Sequence, residues 1–112
     1  MKLGVVGSRT FDNYQLLEST LSILKNVELI VSGNAAGADK LSERYAKEHN
    51  IPTMIFPAEW GIYGKSAGFR RNLDIVRNSD GVICFWDGVS RGTKLTIDLC
   101  KKNHKPVKII YF

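Results

Sequence analysis

Apolar positions along the chain follow two periods. Short apolar runs at Leu3–Val6, Leu29–Val31, Ile51–Phe56, Val82–Trp86 and Val107–Tyr111 read as strands. Between them apolar residues recur at helical spacing. Leu17, Leu21 and Leu24 share a face over residues 13–25, and Ala38, Leu41 and Tyr45 over a segment reaching about residue 48. Phe69, Leu73 and Val76 mark a third helix, and Leu95 and Leu99 point inward from a fourth over residues 92–102. Asp12 or Asn13 is a fitting N-cap for the first helix. Pro52 stands near the start of its strand, where a missing N–H is tolerated, and residues 57–64 read as a loop. Val82–Trp86 is the near-continuous apolar type expected of a strand covered on both faces. Strictly alternating strands and helices imply a parallel sheet with helices on both sides. The expectation is one three-layer α/β domain of Rossmann-like form over residues 1–112, with a five-stranded parallel sheet in the order 3-2-1-4-5.

The glycines are placed unevenly on that frame. Gly7, Gly33, Gly37, Gly61, Gly64, Gly68, Gly88 and Gly92 all follow the carboxyl end of a predicted strand. Turns at the opposite edge use Asn26, Asn50, Asn78 and Asn103, with Gly81 the exception. Turns are needed at both edges, whereas close approach of a ligand to backbone is needed at one. In open α/β sheets that edge is the carboxyl one, and the site lies where the strand order reverses, here between the first and fourth strands.

Four segments at this edge carry candidate chemistry. Gly7, Ser8 and Arg9, followed by Thr10, offer free amides, hydroxyls and a planar guanidinium suited to phosphate. Gly33, Asn34, Gly37 and Asp39 open the second helix; Asp39 either orients a ribose hydroxyl or favours the first helical turn. Neither the dinucleotide fingerprint nor a P-loop fits that spacing. Asp87, Gly88, Ser90, Arg91, Gly92 and Thr93 precede the fourth helix and form the strongest anion-binding candidate. In the long third connection, Trp60 either stacks on a base or plugs the sheet end, while Arg71 and Asn72 open the following helix. His49 and His104 lack companions at metal spacing, so no metal is expected. Cys84 reads as packing, and Cys100 lacks a nearby His to activate it.

Composition narrows the class. The 112 residues are 44% hydrophobic and 24% charged, ordinary globular usage. No apolar run approaches a membrane span or a secretory signal, and two cysteines make no disulfide framework, so a cytoplasmic location is the default. The formal charge of +5 bears on the partner. Arg9, Lys65, Arg70, Arg71, Arg91 and Lys94 lie in or beside the glycine-bearing loops. Lys101, Lys102, Lys105 and Lys108 form a separate C-terminal group read as a solvated edge. Few aromatics interleave with them, which makes nucleic acid the less favoured partner.

Taken in order, Gly7-Ser8-Arg9, Ser32-Gly33 with Gly37-Ala38-Asp39, Trp60 with Ala67-Gly68 and Arg71-Asn72, and Asp87-Gly88 with Ser90-Arg91-Gly92-Thr93 resemble the SLOG superfamily, most closely its small YspA-related proteins. The resemblance implies a Rossmann-like fold binding nucleotides or nucleotide-derived ligands, with a homo-oligomer as a possible assembly by analogy. Relatives include the Lonely Guy phosphoribohydrolases and a DNA-processing protein that binds single-stranded DNA. The phosphoribohydrolase motif Pro-Gly-Gly-x-Gly-Thr-x-x-Glu ends in a catalytic Glu. Thr96 stands at that position here, and a hydroxyl does not replace a carboxylate as general base near neutral pH. Asp12, Asp39, Glu59 and Asp87 are the acids left to substitute.

Three functions follow as expectations. The first is binding of a small phosphorylated nucleotide ligand by a sensor or sequestering module, with no further cofactor. The second is a hydrolase acting on the glycosidic or phosphoryl part of a nucleotide, with its catalytic residues unknown. The third is single-stranded nucleic-acid binding.

Overall fold

A computed structural model describes Met1–Phe112. Five strands, β1 (Lys2–Gly7), β2 (Leu29–Ser32), β3 (Thr53–Ile55), β4 (Gly81–Trp86) and β5 (Val107–Tyr111), form one all-parallel sheet in the order β3-β2-β1-β4-β5. The helices are α1 (Tyr14–Ser22), α2 (Ala38–Glu48), the single turn α3 (Trp60–Tyr63), α4 (Ala67–Arg77) and α5 (Arg91–Lys102). The segment read as a loop over residues 57–64 therefore contains a helical turn, which a 3-10 turn at Gly64–Ser66 joins to α4.

Side-chain alternation along the central strands sorts the core into two halves. Leu3 and Val5 of β1 and Ile83 and Phe85 of β4 enter one cluster with Leu17 and Leu21 of α1 and Ala38, Tyr45 and Ala46 of α2. Val6, Val82 and Cys84 enter the other with Ile75 and Val76 of α4 and Ile97, Leu99 and Cys100 of α5. Thus α1 and α2 cover one face and α4 and α5 the opposite one. Right-handed crossovers require this. The chain winds from β1 outward to β3, crosses back to β4, then winds the other way to β5. Burial pushes both thiols up, as expected for packing cysteines.

Local signals behave as their chemistry dictates. Asn13 caps α1, its Oδ1 accepting from the Leu16 amide at 3.0 Å. At the amino edge, Asn26 and Asn50 adopt φ of 66° and 55°. Asn78 and Asn103 serve differently, each side-chain amide donating at 2.8 Å to the carbonyl four residues back. One expected inward residue faces out: Phe69 is 48% exposed, and Asn72 is buried beside Ile75 and Val76 instead. The first turns of α4 stand beside the carboxyl edge, where Phe69 has no core to enter.

Gly37 closes the loop before α2 with φ of +83°, and a Cβ there would lie 2.3 Å from the Ser8 carbonyl oxygen. The α2 entry and the loop after β1 thus touch backbone to backbone. Gly37→Ala is expected to lower stability by about 1–3 kcal/mol, from left-handed strain plus displacement of the loop. Gly61→Ala in α3, where a Cβ meets nothing within 4 Å, is expected to be neutral or stabilising by up to about 1 kcal/mol. Urea denaturation of both variants checks this contrast, and equal effects would contradict it.

Candidate functional site

Where β1 pairs with β2 on one side and β4 on the other, the loops leaving β1 and β4 part toward opposite faces. A cleft of about 370 Å³ opens between them. Such a volume lies in the range of small-molecule sites, roughly 300–1,000 Å³. Gly7, Ser8, Arg9, Asp39, Arg71, Asn72, Ser90, Arg91, Gly92 and Thr93 line it, so ten of the expected residues converge. Val6, Thr10, Ala35 and Thr96 complete the wall. A signal for the last three exists in the sequence. Thr10 extends Arg9 along its loop, Ala35 lies between Gly33 and Gly37, and Thr96 follows Gly92 by four residues on one helix face.

The other expected residues lie elsewhere. Gly33, Asn34 and Trp60 line an adjoining hollow of about 220 Å³ with Pro57 and Ala58. Trp60 is 53% exposed, with its ring edge over Gly68 of α4. Gly37 shapes the loop contact described above. Asp87 and Gly88 stay out of the wall, and Asp87 builds the loop instead. Its Oδ1 accepts from the amides of Val89 and Ser90 at 2.9 and 2.8 Å, and its Oδ2 from the Ser90 hydroxyl at 2.9 Å. Those amides hold the Asp87 carboxyl below its ordinary value.

The two loops are locked together across the cleft floor. The Asp87 amide donates to Ser8 Oγ at 3.2 Å, and the hydroxyls of Ser8 and Ser90 lie 2.9 Å apart. Ser90 has one hydroxyl proton for the two neighbours, so when it donates to Asp87, Ser8 donates to Ser90. Ser90 is the N-cap of α5, yet its side chain makes no cap bond to the helix. The first amides of α5 are left without a capping side chain or an intrahelical acceptor, at the mouth of the cleft. Beside them stand the exposed guanidinium groups of Arg9 and Arg91. The partial positive charge of a helix N-terminus and the two arginines beside it make the mouth of the cleft electropositive, against the single carboxylate of Asp87 bound at Ser90.

Arg71 and Asp39 form the inner wall. Arg71 is half-buried; its Nη1 donates to the Gly33 carbonyl at 2.8 Å and its Nε to Asn72 Oδ1 at 2.9 Å. Asn72 in turn donates to the Gly92 carbonyl at 3.4 Å, tying α4 to the start of α5. Burial pushes the Arg71 guanidinium down, Asp39 counteracting and Arg9 adding to the fall. Asp39 is 4% exposed, and its Oδ2 accepts from the amides of Gly33 and Ala35 at 3.1 and 3.3 Å. Gly33 is confined by both: a Cβ there would lie 2.7 Å from Arg71 Nη1 and from Asp39 Oδ2. Burial raises the Asp39 carboxyl from 3.8 to about 6, outweighing the two amides and Arg71. Of the acids Asp12, Asp39, Glu59 and Asp87, Asp39 alone lines the cleft. Thr96, at the position of the phosphoribohydrolase Glu, is buried there and donates to the Gly92 carbonyl at 3.2 Å.

The Asp39 shift has a stability consequence. A carboxyl whose folded value is raised adds stability below its unfolded value, near pH 4, and loses it as pH rises through about 6. Asn at this position does not titrate. Asp39→Asn is therefore expected to gain about 2–3 kcal/mol relative to the parent between pH 4 and pH 7.5, at about 1.4 kcal/mol per unit. Denaturant midpoints measured across that interval check it. A pH-independent difference would contradict the burial of this carboxyl.

A profile of the YspA, cpYpsA-related SLOG family matches residues 1–63, which carry the Ser8, Gly33 and Asp39 segments. The chain is similar to the Gene 61 protein of Mycobacterium phage D29, at 33% identity over 85 residues, covering 70% of this chain and 68% of that protein. No solved structure gives a significant match. With more than half of its length inside the family profile, its strand order as expected and its loops meeting at one edge, the chain belongs to the YspA, cpYpsA-related SLOG family.

Proposed function

We propose that the protein binds a nucleotide or nucleotide-derived phosphorylated ligand in the cleft at the carboxyl edge of the sheet, as a sensor or sequestering module. Membership of the family supports a nucleotide-related function in general. The observation that carries the reading is the uncapped N-terminus of α5, with Arg9 and Arg91 beside it and Ser90 held away by Ser8 and Asp87. The phosphate sits on the α5 amides, and the free guanidinium groups close on it. The lysines of the C-terminal group lie outside the cleft wall, which favours a small anion over a polyanionic strand. A hydrolytic reading rests on Asp39, the one carboxylate in the wall, and requires that bound nucleotide be consumed.

Charge-assisted hydrogen bonds contribute about 1.5–3 kcal/mol each. Arg91→Ala is expected to weaken binding of a nucleoside 5′-monophosphate by about 10–100-fold with an unchanged melting temperature, since Arg91 is exposed and holds no other side chain. Arg71→Ala is expected to lower both affinity and melting temperature, because it also loses the bonds to Gly33 and Asn72. Lys101→Ala serves as the control. Titration calorimetry with the four common nucleoside monophosphates measures the affinities, and mass spectrometry of the recovered ligand shows whether it returns unchanged. Wild-type affinity in both Arg91→Ala and Arg9→Ala would overturn the assignment of this edge.

A further inference from the structure

The cleft and the adjoining hollow are not separate. They share Arg9, Ala35 and Arg71. Asp39 stands at their seam, lining the cleft while bonded to the amides of Gly33 and Ala35, which line the hollow. Both bonds use Oδ2. Oδ1 receives no hydrogen bond from the protein; the neighbouring Arg71 guanidinium donates to Gly33 and Asn72 and not to it. No fully buried side-chain polar atom in the molecule lacks a partner, so Oδ1 reaches open space, and the open space beside Asp39 is the cleft.

Resting on the nucleotide reading above, we propose that Oδ1 of Asp39 accepts a hydrogen bond from a sugar hydroxyl, so that the ligand is a ribonucleotide and the site rejects its deoxy counterpart. The carboxylate is ionised above about pH 6 and is then an acceptor only. A phosphate dianion has no proton to give it and is repelled by it, so phosphate belongs at the α5 end. A flat aromatic group fits the opposite end, where Trp60 and Pro57 offer an apolar wall. In a nucleotide the sugar hydroxyls lie between these two parts, as Asp39 lies between the two compartments. A base amine is the other donor chemistry available, but a base placed at Asp39 leaves the Trp60 hollow empty.

A site built to receive a hydroxyl discriminates strongly against its absence, because the buried acceptor is then left unpaired. The experiment is calorimetry with the four ribonucleoside 5′-monophosphates and their 2′-deoxy and 3′-deoxy analogues, on the wild-type chain and on Asp39→Asn. Asn keeps one oxygen for the Gly33 and Ala35 amides and replaces the free oxygen with a donor. For a ribonucleotide that binds, the wild type is expected to favour it at least 10-fold over one of its deoxy analogues. In Asp39→Asn that ratio is expected to fall below 3-fold, while inorganic phosphate still binds. Equal affinity of the wild type for the ribo, 2′-deoxy and 3′-deoxy forms would overturn the inference and leave the nucleotide reading standing. A preference that persists in Asp39→Asn would also overturn it. Binding of none of these nucleotides would overturn both. Should Asp39→Asn fail to melt cooperatively, the wild-type ratio alone decides.

Discussion

The whole site depends on how β1 is shared. It hydrogen-bonds to β2 through Lys2–Gly4 and to β4 through Leu3–Gly7, so the chain winds away from it in both directions. Right-handed crossovers then send α1 and α2 to one face and α4 and α5 to the other. Loops leaving adjacent strands must therefore separate at the carboxyl edge, and the space between them is the cleft. The cleft is a by-product of sheet topology, which the loop residues then furnish with charge.

Holding that surface open requires contacts that serve no strand or helix. The hydroxyl link between Ser8 and Ser90 joins loops 82 residues apart in sequence, and Arg71 reaches 38 residues back to Gly33. Asp39 is a buried carboxylate whose ionisation works against the fold at neutral pH. Its two amide bonds and the nearby Arg71 only partly offset burial. On the proposed reading, this carboxylate at the seam of the two hollows meets a ligand hydroxyl.

Strand order, the Asn13 cap and the carboxyl-edge clustering were legible because period, capping chemistry and glycine placement are local properties that topology then multiplies. Asp87 was not, because an acidic residue before a helix looks the same whether it faces a ligand or its own loop amides; only the bonds from Val89 and Ser90 distinguish them. Phe69 misled because helical spacing identifies a face but not what that face meets, and the first turn of α4 overhangs the sheet. Thr96 was visible as a departure from the phosphoribohydrolase motif, yet its place in the cleft wall needed the register of α5.

On the proposed reading a phosphorylated nucleotide occupies the gap between the β1 and β4 loops, against the start of α5. Amide chemical-shift mapping by NMR during titration with a ribonucleoside 5′-monophosphate tests it most directly. Saturable shifts are expected at Ser8, Arg9, Ala35 and Arg91–Thr93, with Lys101, Lys102 and Lys105 unmoved. Shifts confined to the C-terminal lysines, or absent at the α5 amides, would contradict it.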